Sequence, residues 1–187
     1  MTELKNFITA LVAIDDESLD LILAEFTPKA VLQDDFLLRQ GQVANEYLFV
    51  SKGGFRIYFG MGDKEMTVWI ALENNFLCEL SSLKTQTPSR FSIQAMENSE
   101  VFSISKERME NLYRRFPAWQ AFGREVWESA FLSVLDGILA HQTLTAEERY
   151  LNAMKQSQLL QRISLKHLAS YLGITPTSLS RLRKKIK

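Results

Sequence analysis

The spacing of hydrophobic and polar positions changes twice along the chain and divides it into three parts. A short amphipathic helix, which Asp15 and Asp16 can cap, comes first. From Ala30 to about Ile104 the pattern becomes one of short apolar or alternating segments separated by turns. The predicted strands are residues 47–50, 55–59, 66–71, 91–95 and 101–104. Many short strands at close spacing favour an antiparallel β-barrel or jelly roll, so we expect an α+β chain that begins with this unit.

A long stretch of helical periodicity follows Pro117 and ends near Leu139. It is apolar on two sides, one with Trp119, Phe122, Val126, Ala130 and Val134, and the other with Trp127, Phe131, Leu135 and Ile138. A helix of this kind must be buried on two sides. We therefore predict that one side covers its own protomer and that the helix pairs with a second copy. The dimer interface is then the side with Trp119, Phe122, Val126, Ala130 and Val134. The alternative is a central helix inside a monomer.

The third part has the local signals of two short helices joined by a turn. A capping box at residues 145–148 opens a helix that leads into it. Ser164 is a good N-cap, and Gly173 can take the left-handed conformation that ends a helix. Thr175 can cap the next helix, with Pro176 at its first position. This pattern is typical of a helix-turn-helix, whose second helix enters the major groove of DNA.

The second of these helices presents cations and hydroxyls on one side. Its inward face is formed by Leu179, Leu182 and Ile186. With the cap residue, the predicted DNA-binding residues are Thr175, Thr177, Ser178, Ser180, Arg181, Lys184 and Lys185. Arginine can pair bidentately with guanine, whereas lysines, here including Lys187, suit phosphates. The alternative is a surface helix whose basic end complements its dipole.

Composition and charge narrow the class of protein. The 187 residues are 46% hydrophobic, which allows a substantial core in one domain or two small ones. Lys+Arg and Asp+Glu both number 22, so the net charge is zero, yet five of the last seven residues are cations. Such local charge suits phosphate contact. A signal peptide and an apolar run of membrane-spanning length are both lacking, so we expect a cytoplasmic protein without a membrane partner.

The residues give no support for an enzyme or for a bound cofactor. There is one cysteine, Cys78, and only two histidines, too few for a zinc or iron–sulfur site. We find no nucleophile–base pair and no glycine-rich phosphate loop. We therefore expect no catalytic residues, no metal and no cofactor.

Two segments carry a resemblance to a known family. Residues 41–53, followed by Arg56, resemble the cyclic-nucleotide-binding signature of the Crp/Fnr family of bacterial transcription regulators, and residues 168–181 resemble its helix-turn-helix. The resemblance implies a cyclic-nucleotide-binding-like sensor domain at 1–115, a dimerisation helix at 116–142 and a DNA-binding domain at 143–187. It also implies that Arg181 reads a base.

The resemblance implies an effector pocket as well, and the sequence departs from it there. The family's Gly-Glu-Leu turn reads Cys78-Glu79-Leu80, and its later Arg-Ser or Arg-Thr pair is reversed to Ser89-Arg90. A shift of one position turns a side chain to the other face of a strand, and the lost glycine places a side chain where backbone should approach the ligand. We expect a degenerate pocket at Glu79, Leu80, Ser89 and Arg90.

The sequence as a whole predicts a homodimeric transcription regulator. Its expected partners are double-stranded DNA, a second copy of the chain, a small-molecule effector and RNA polymerase. No wing of strands follows the second helix after Lys187, so we expect either a short variant of the module or DNA binding that relies more on dimerisation. The alternative is a ligand-binding or protein-interaction module without specific DNA binding.

Overall fold

The computed structural model describes residues 1–62, 64–155 and 157–186, and Lys187 lies outside this part of the chain. The helices are α1 (Thr2–Leu11), α2 (Asp16–Leu23), α3 (Leu80–Thr85), α4 (Lys106–Arg115), α5 (Pro117–Thr143), α6 (Ala146–Lys155), α7 (Ser157–Arg162), α8 (Leu165–Tyr171) and α9 (Pro176–Ile186). The strands are β1 (Thr27–Val31), β2 (Phe36–Leu38), β3 (Glu46–Lys52), β4 (Phe55–Met61), β5 (Lys64–Ala71), β6 (Asn75–Leu77), β7 (Ser92–Ala95) and β8 (Ser99–Ser105).

The strands form two antiparallel sheets of four strands each. Their orders are β1-β8-β3-β6 and β2-β7-β4-β5. Of the two predicted forms, β-barrel and jelly roll, the closed barrel is corrected, because no pairing joins the two sheets among the described residues. The first sheet ends at β1, where Pro28 lies opposite Phe102; proline lacks the N–H that a further strand would need. We call the two sheets together the sandwich.

A tight turn carries the chain from one sheet to the other. Gly53, between β3 and β4, has φ +91°, which glycine adopts without strain. A Cβ there would lie 2.1 Å from the Oγ of Ser99, so no other residue fits without a shift. Ser99 Oγ also accepts the N–H of Gly54 at 3.2 Å, which holds the turn against β8.

The larger core lies inside the sandwich and under the helices that cover it. Phe49 and Phe55, one from each sheet, are fully buried there together with Trp119 of α5. The ring of Trp119 stacks on that of Phe122 at a centroid distance of 4.5 Å. The first turns of α5 are thus part of the protomer core.

A smaller core joins the C-terminal helices to the sandwich. Its members are Met96, Tyr150, Ala153, Ile163, Leu168, Ala169, Leu172 and Leu179, and Ile70 and Leu72 of the sandwich pack against it. The C-terminal helices therefore bury apolar surface against the edge of a sheet, at β5.

Candidate nucleic-acid interface and effector pocket

Local hydrogen bonds fix the ends of α8 and α9, which we call the helix pair. Ser164 Oγ accepts the N–H of His167 at 3.2 Å, and Thr175 Oγ1 accepts that of Ser178 at 3.1 Å. Gly173, in the turn between the helices, has φ +70°. These three observations confirm the predicted caps and turn, which set the direction of α9.

The outward face of α9 is basic and exposed. The residues predicted to bind DNA, namely Thr175, Thr177, Ser178, Ser180, Arg181, Lys184 and Lys185, are all exposed. Arg183 is exposed as well, and its place in the basic run is the signal that could have added it to the set. Residues 176–186 carry four cations and no acid, while Leu179 faces the core.

One of these cations is held by a neighbouring helix. Lys185 Nζ lies 2.7 Å from a carboxylate oxygen of Glu147 on α6, and both side chains are partly exposed. The contact orients the last turn of α9 but is worth little in free energy at the surface.

Arg149 on α6 ties the end of α5 to the helix pair, a role that sequence reasoning missed. Its guanidinium donates to the carbonyl of Leu144, at the C-terminus of α5, at 2.6 Å. It also donates twice to the carbonyl of Leu172, at the C-terminus of α8, at 3.0 and 3.2 Å. Since both carbonyls lack helical partners, one side chain satisfies two helix ends.

Ser170 of α8 completes the hydrogen bonding of the edge strand β5. Its Oγ accepts the N–H of Thr67 at 2.9 Å and donates to the carbonyl of Glu65 at 2.8 Å. An edge strand otherwise presents such groups unpaired. The helix pair is thus docked on the sandwich by a contact that resembles strand pairing.

A second contact between the C-terminal helices and the sandwich is ionic. Arg162, at the end of α7, lies 2.8 Å from both carboxylate oxygens of Glu73, and its Nε lies 2.7 Å from Glu97. The hydrogen bonds from Arg162 lower the pKa of Glu73, and those from Glu73 raise the pKa of Arg162. The turn after β5 and the turn after β7 are thereby held to one guanidinium.

A buried charge lies next to this docking surface. The side chain of Arg56 is only 4% exposed, lies 2.9 Å from Glu65 and stacks on the ring of Tyr58 at 3.7 Å. Burial opposes the charge of Glu65, but the hydrogen bond and charge of Arg56 outweigh it and lower the pKa of Glu65. Burial and the Arg56 charge lower the pKa of His167 on α8.

A cleft of about 620 Å³ opens at the turn that the resemblance marks as the effector pocket. Glu79 lines it, yet one carboxylate oxygen of Glu79 accepts the N–H of Ser82 at 2.8 Å and caps α3. Glu46 is the other charged residue of the lining, so the described lining holds two acids and no cation. Glu46 is ion-paired with Lys29 at 2.6 Å, so an anion in this cleft would meet the Glu79 carboxylate without a counter-charge from the described lining.

The other three predicted pocket residues do not line this cleft. Leu80 is exposed, and Ser89 is buried with its Oγ engaged by the backbone of Phe91 at 2.8 and 3.0 Å. Arg90 is exposed, with its guanidinium 5.8 Å from the centroid of the Phe91 ring. The structure therefore does not bring the four residues together around one ligand position.

Cys78 sits at the inner end of the cleft as a neutral thiol. Burial raises the pKa of Cys78 to about 12, and the Glu79 carboxylate acts in the same direction. A thiol with this pKa is protonated at neutral pH and is a poor nucleophile.

The residues expected at the dimer interface fall into two groups. Trp119 and Phe122 are 0% and 2% exposed inside the protomer, which leaves them no surface for a partner. Val126 and Ala130 are partly buried, whereas Val134 is exposed. The exposed apolar residues of α5 are Phe131, Leu132, Val134, Leu135, Ile138 and Leu139. The free apolar surface thus lies further along α5 than the sequence predicts.

Among the described residues, no group of three or more His, Cys, Asp or Glu side chains is placed to hold a metal ion. None of the described helices is long and apolar enough to cross a membrane.

The chain resembles known proteins in both sequence and structure. Residues 28–116 match the family model of the cyclic nucleotide-binding domain. The chain is similar in structure to CLP, a c-di-GMP responsive global regulator from Xanthomonas campestris, with 17% identity, coverage of 92% of this chain and 91% of that one, and a TM-score of 0.73. No curated protein matches the chain significantly.

Two further structures show the same fold. A CooA variant from Carboxydothermus hydrogenoformans is 21% identical, over 88% of this chain and 77% of that one, with a TM-score of 0.69. A Crp/Fnr-family protein from Eubacterium rectale is 15% identical, over 92% of this chain and 83% of that one, with a TM-score of 0.70.

Residues 28–116 therefore have the fold of a cyclic nucleotide-binding domain. With the long helix and the helix pair, the chain has the fold of the Crp/Fnr-type regulators, and the predicted resemblance is confirmed at the level of the fold.

Proposed function

We propose that the protein is a homodimeric, DNA-binding transcription regulator, and that its helix pair is a helix-turn-helix with α9 as the recognition helix. The observation that carries the proposal is the exposed face of α9, where four cations and no acid stand on a helix whose N-terminus Thr175 caps directly after the turn at Gly173. Cations clustered on one helix face are the electrostatic footprint of a phosphate-binding surface. The similarity of the fold to a global regulator of gene expression supports the same conclusion.

Homodimerisation is supported by the exposed side of α5. Six large apolar side chains are exposed there between Phe131 and Leu139. Asp136 is the one charged residue of this segment. An exposed apolar stripe of this length is typical of a protein–protein contact. Two helices packed along it would carry two copies of α9, and Arg149 would transmit the position of each α5 end to its helix pair.

The same proposal makes the cyclic-nucleotide pocket degenerate. Glu79 is committed to capping α3, Arg90 stands away from the cleft, and the described cleft lining has no cation for a phosphate. A cyclic nucleotide would bury its phosphate beside the Glu79 carboxylate without a cation in the described lining, which is unfavourable. The effector is therefore of another chemical class, and RNA polymerase is a further partner for a regulator of this kind.

A salt titration of DNA binding tests the proposal. Duplexes selected from a random pool on the full chain are labelled, and their affinity is measured by fluorescence anisotropy between 50 and 300 mM salt. We expect log affinity to fall linearly with log salt, because each neutralised phosphate releases counterions. Arg183→Ala should lower the slope, whereas Lys52→Ala, which removes an exposed lysine outside α9, should leave it unchanged.

The rival function is a ligand-binding or protein-interaction module whose helix pair contacts protein. It predicts that no duplex is enriched and that affinity for any DNA is weak and independent of Arg183. That outcome would overturn DNA binding as the function.

A further inference from the structure

A second cavity, of about 430 Å³, lies between the sandwich and α5. Ile57 and Trp69 form its floor on β4 and β5, Phe7 closes one end from α1, and Phe76 contributes from β6. Val126 and Ala130 form the wall on α5. A volume of this size is within the range of small-molecule sites in proteins.

The lining of this cavity carries no charge. None of its described lining residues is Asp, Glu, Lys, Arg or His. Burying an ionised group without a partner costs several kcal/mol or more, on the order of what a small ligand gains by binding. The cavity therefore rejects nucleotides, carboxylates and amines alike.

Two polar side chains of the lining are already engaged. Asn75 Nδ2 donates to the carbonyls of Leu72 and Glu73 at 3.2 Å each, and Ser133 Oγ donates to the carbonyl of Ser129 at 2.9 Å. Cys78 contributes a protonated thiol. Apart from the side chains of Asn74 and Ser129, what remains for a ligand is aromatic and aliphatic surface.

The wall on α5 connects the cavity with the exposed apolar stripe. Val126, Ala130 and Val134 follow each other at intervals of four residues along the cavity side, while Leu135 and Ile138 continue the exposed side. A molecule that fills the cavity presses on α5, and α5 ends at the guanidinium that holds the helix pair.

We infer that this cavity is the effector site and that the effector is an uncharged, largely apolar small molecule. The inference rests on the proposed function only in calling the ligand an effector, since the binding itself needs neither DNA nor dimerisation. The apolar stripe on the other side of α5 is left to a second copy of the chain.

Binding of N-phenyl-1-naphthylamine, an uncharged apolar fluorophore, to the full chain tests this inference. Two of the three tryptophans, Trp69 and Trp127, line the cavity, so bound probe should quench their emission by energy transfer. We expect saturable binding of one probe per chain with micromolar affinity, and no displacement by cyclic AMP.

Filling the cavity from opposite walls should abolish binding. Ala130→Phe acts from α5, and Ile57→Phe acts from the sandwich without touching α5; each should weaken probe binding tenfold or more. Ala13→Phe, at an exposed position in the connection between α1 and α2, is the matched control and should bind like the wild type. Thermal melts followed by circular dichroism establish that each variant is folded.

Four results would overturn the inference. They are the absence of saturable binding, unchanged binding in both filled variants, displacement of the probe by cyclic AMP, and binding to a monomeric variant but not to the wild-type dimer. The last would show that a side chain of the second copy occupies the cavity. Because the titration contains no DNA, its failure and the failure of DNA binding are separate results.

Discussion

At the residue scale, the environment of Cys78 determines whether the chain can use its one thiol. Partial exposure alone suggests a reactive group, but burial and the neighbouring carboxylate raise its pKa to about 12. Only about one thiol in 10,000 is then ionised at pH 8, against a substantial fraction for a free cysteine with a pKa of about 8.5. This environment disfavours thiol chemistry in the cleft.

We therefore expect Cys78 of the folded chain to react with Ellman's reagent at least a hundredfold more slowly at pH 8 than the same cysteine in guanidinium-unfolded chain. The raised pKa also has a consequence for folding. The thiol ionises at a lower pH in the unfolded chain than in the folded chain, so the free energy of unfolding falls as the pH rises above about 8.5. Equal rates in the folded and unfolded chain would show that the thiol is accessible and ionised.

Arg181 and Lys184 stand on the same face of α9 but have different chemistry. A guanidinium can pair bidentately with guanine, whereas an ammonium acts as a point charge on phosphate. Arg181→Ala should cost about 1–3 kcal/mol on the selected duplex and relax the preference at one base pair. Lys184→Ala should weaken selected and random duplexes alike and reduce the salt slope. Equal losses on both kinds of DNA for Arg181→Ala would remove Arg181 from base reading.

At the scale of elements, the contact between α8 and β5 depends on one hydroxyl. Ser170→Ala removes the acceptor of the Thr67 N–H and the donor to the Glu65 carbonyl at once. Leaving buried backbone groups unpaired costs about 1–3 kcal/mol, and we expect that loss of stability in denaturant. Amide exchange at Thr67 should accelerate at the same time.

Ser81→Ala, at an exposed position of α3, is the control for this prediction and should change neither quantity. A Ser170→Ala variant with wild-type stability and a protected Thr67 amide would show that water replaces the hydroxyl.

Elements built from local signals are predictable from the sequence, and the contacts between them are not. The ends of α8 and α9 follow from Ser164, Gly173 and Thr175, which act within three residues of themselves. The hydrogen bonds of Ser170 reach residues more than 100 positions away, and those of Arg162 reach across 89 and 65. No periodicity signals such pairs, so the docking of the helix pair comes only from the structure.

The sheets show the same division. The five predicted strands correspond to β3, β4, β5, β7 and β8, which have apolar or alternating patterns. The pattern does not predict β1, which is polar and contains Pro28, or the three-residue strands β2 and β6. All three lie at the edge of a sheet. Whether a sheet closes depends on its edges, and for that reason the sequence leaves a barrel and a jelly roll as alternatives, whereas the structure has two open sheets.

At the scale of the whole molecule, the amphipathic analysis of α5 identifies two apolar sides but not which one stays free. The pairing of Phe122 with Phe7 of α1, and of Trp127 with Tyr47 of β3, uses the first turns of both sides inside the protomer. Such aromatic pairs form with residues of distant strands and helices, which a helical wheel does not contain. The exposed stripe begins only at Phe131, beyond the end of the main core.

This stripe gives the prediction for assembly. Phe131 is 62% exposed and Ile138 is 48% exposed in the protomer, and Leu135 lies between them. A charge placed at Leu135 stays hydrated in a monomer, but in a dimer it would be buried without a partner at a cost of several kcal/mol. Leu135→Glu should therefore shift the mass in light scattering from twice 21.5 kDa to 21.5 kDa while the thermal melt of the sandwich is retained.

Loss of the dimer should also lower DNA affinity, because two recognition helices held at a fixed spacing bind two half-sites together. We expect a loss of a hundredfold or more for Leu135→Glu on the selected duplex. Leu32→Glu provides the control, since it charges a leucine that is also exposed, in the connection between β1 and β2, and should change neither mass nor affinity. A dimeric Leu135→Glu protein would place the interface on another surface, and a monomeric one with full affinity would show that a single α9 is sufficient for binding.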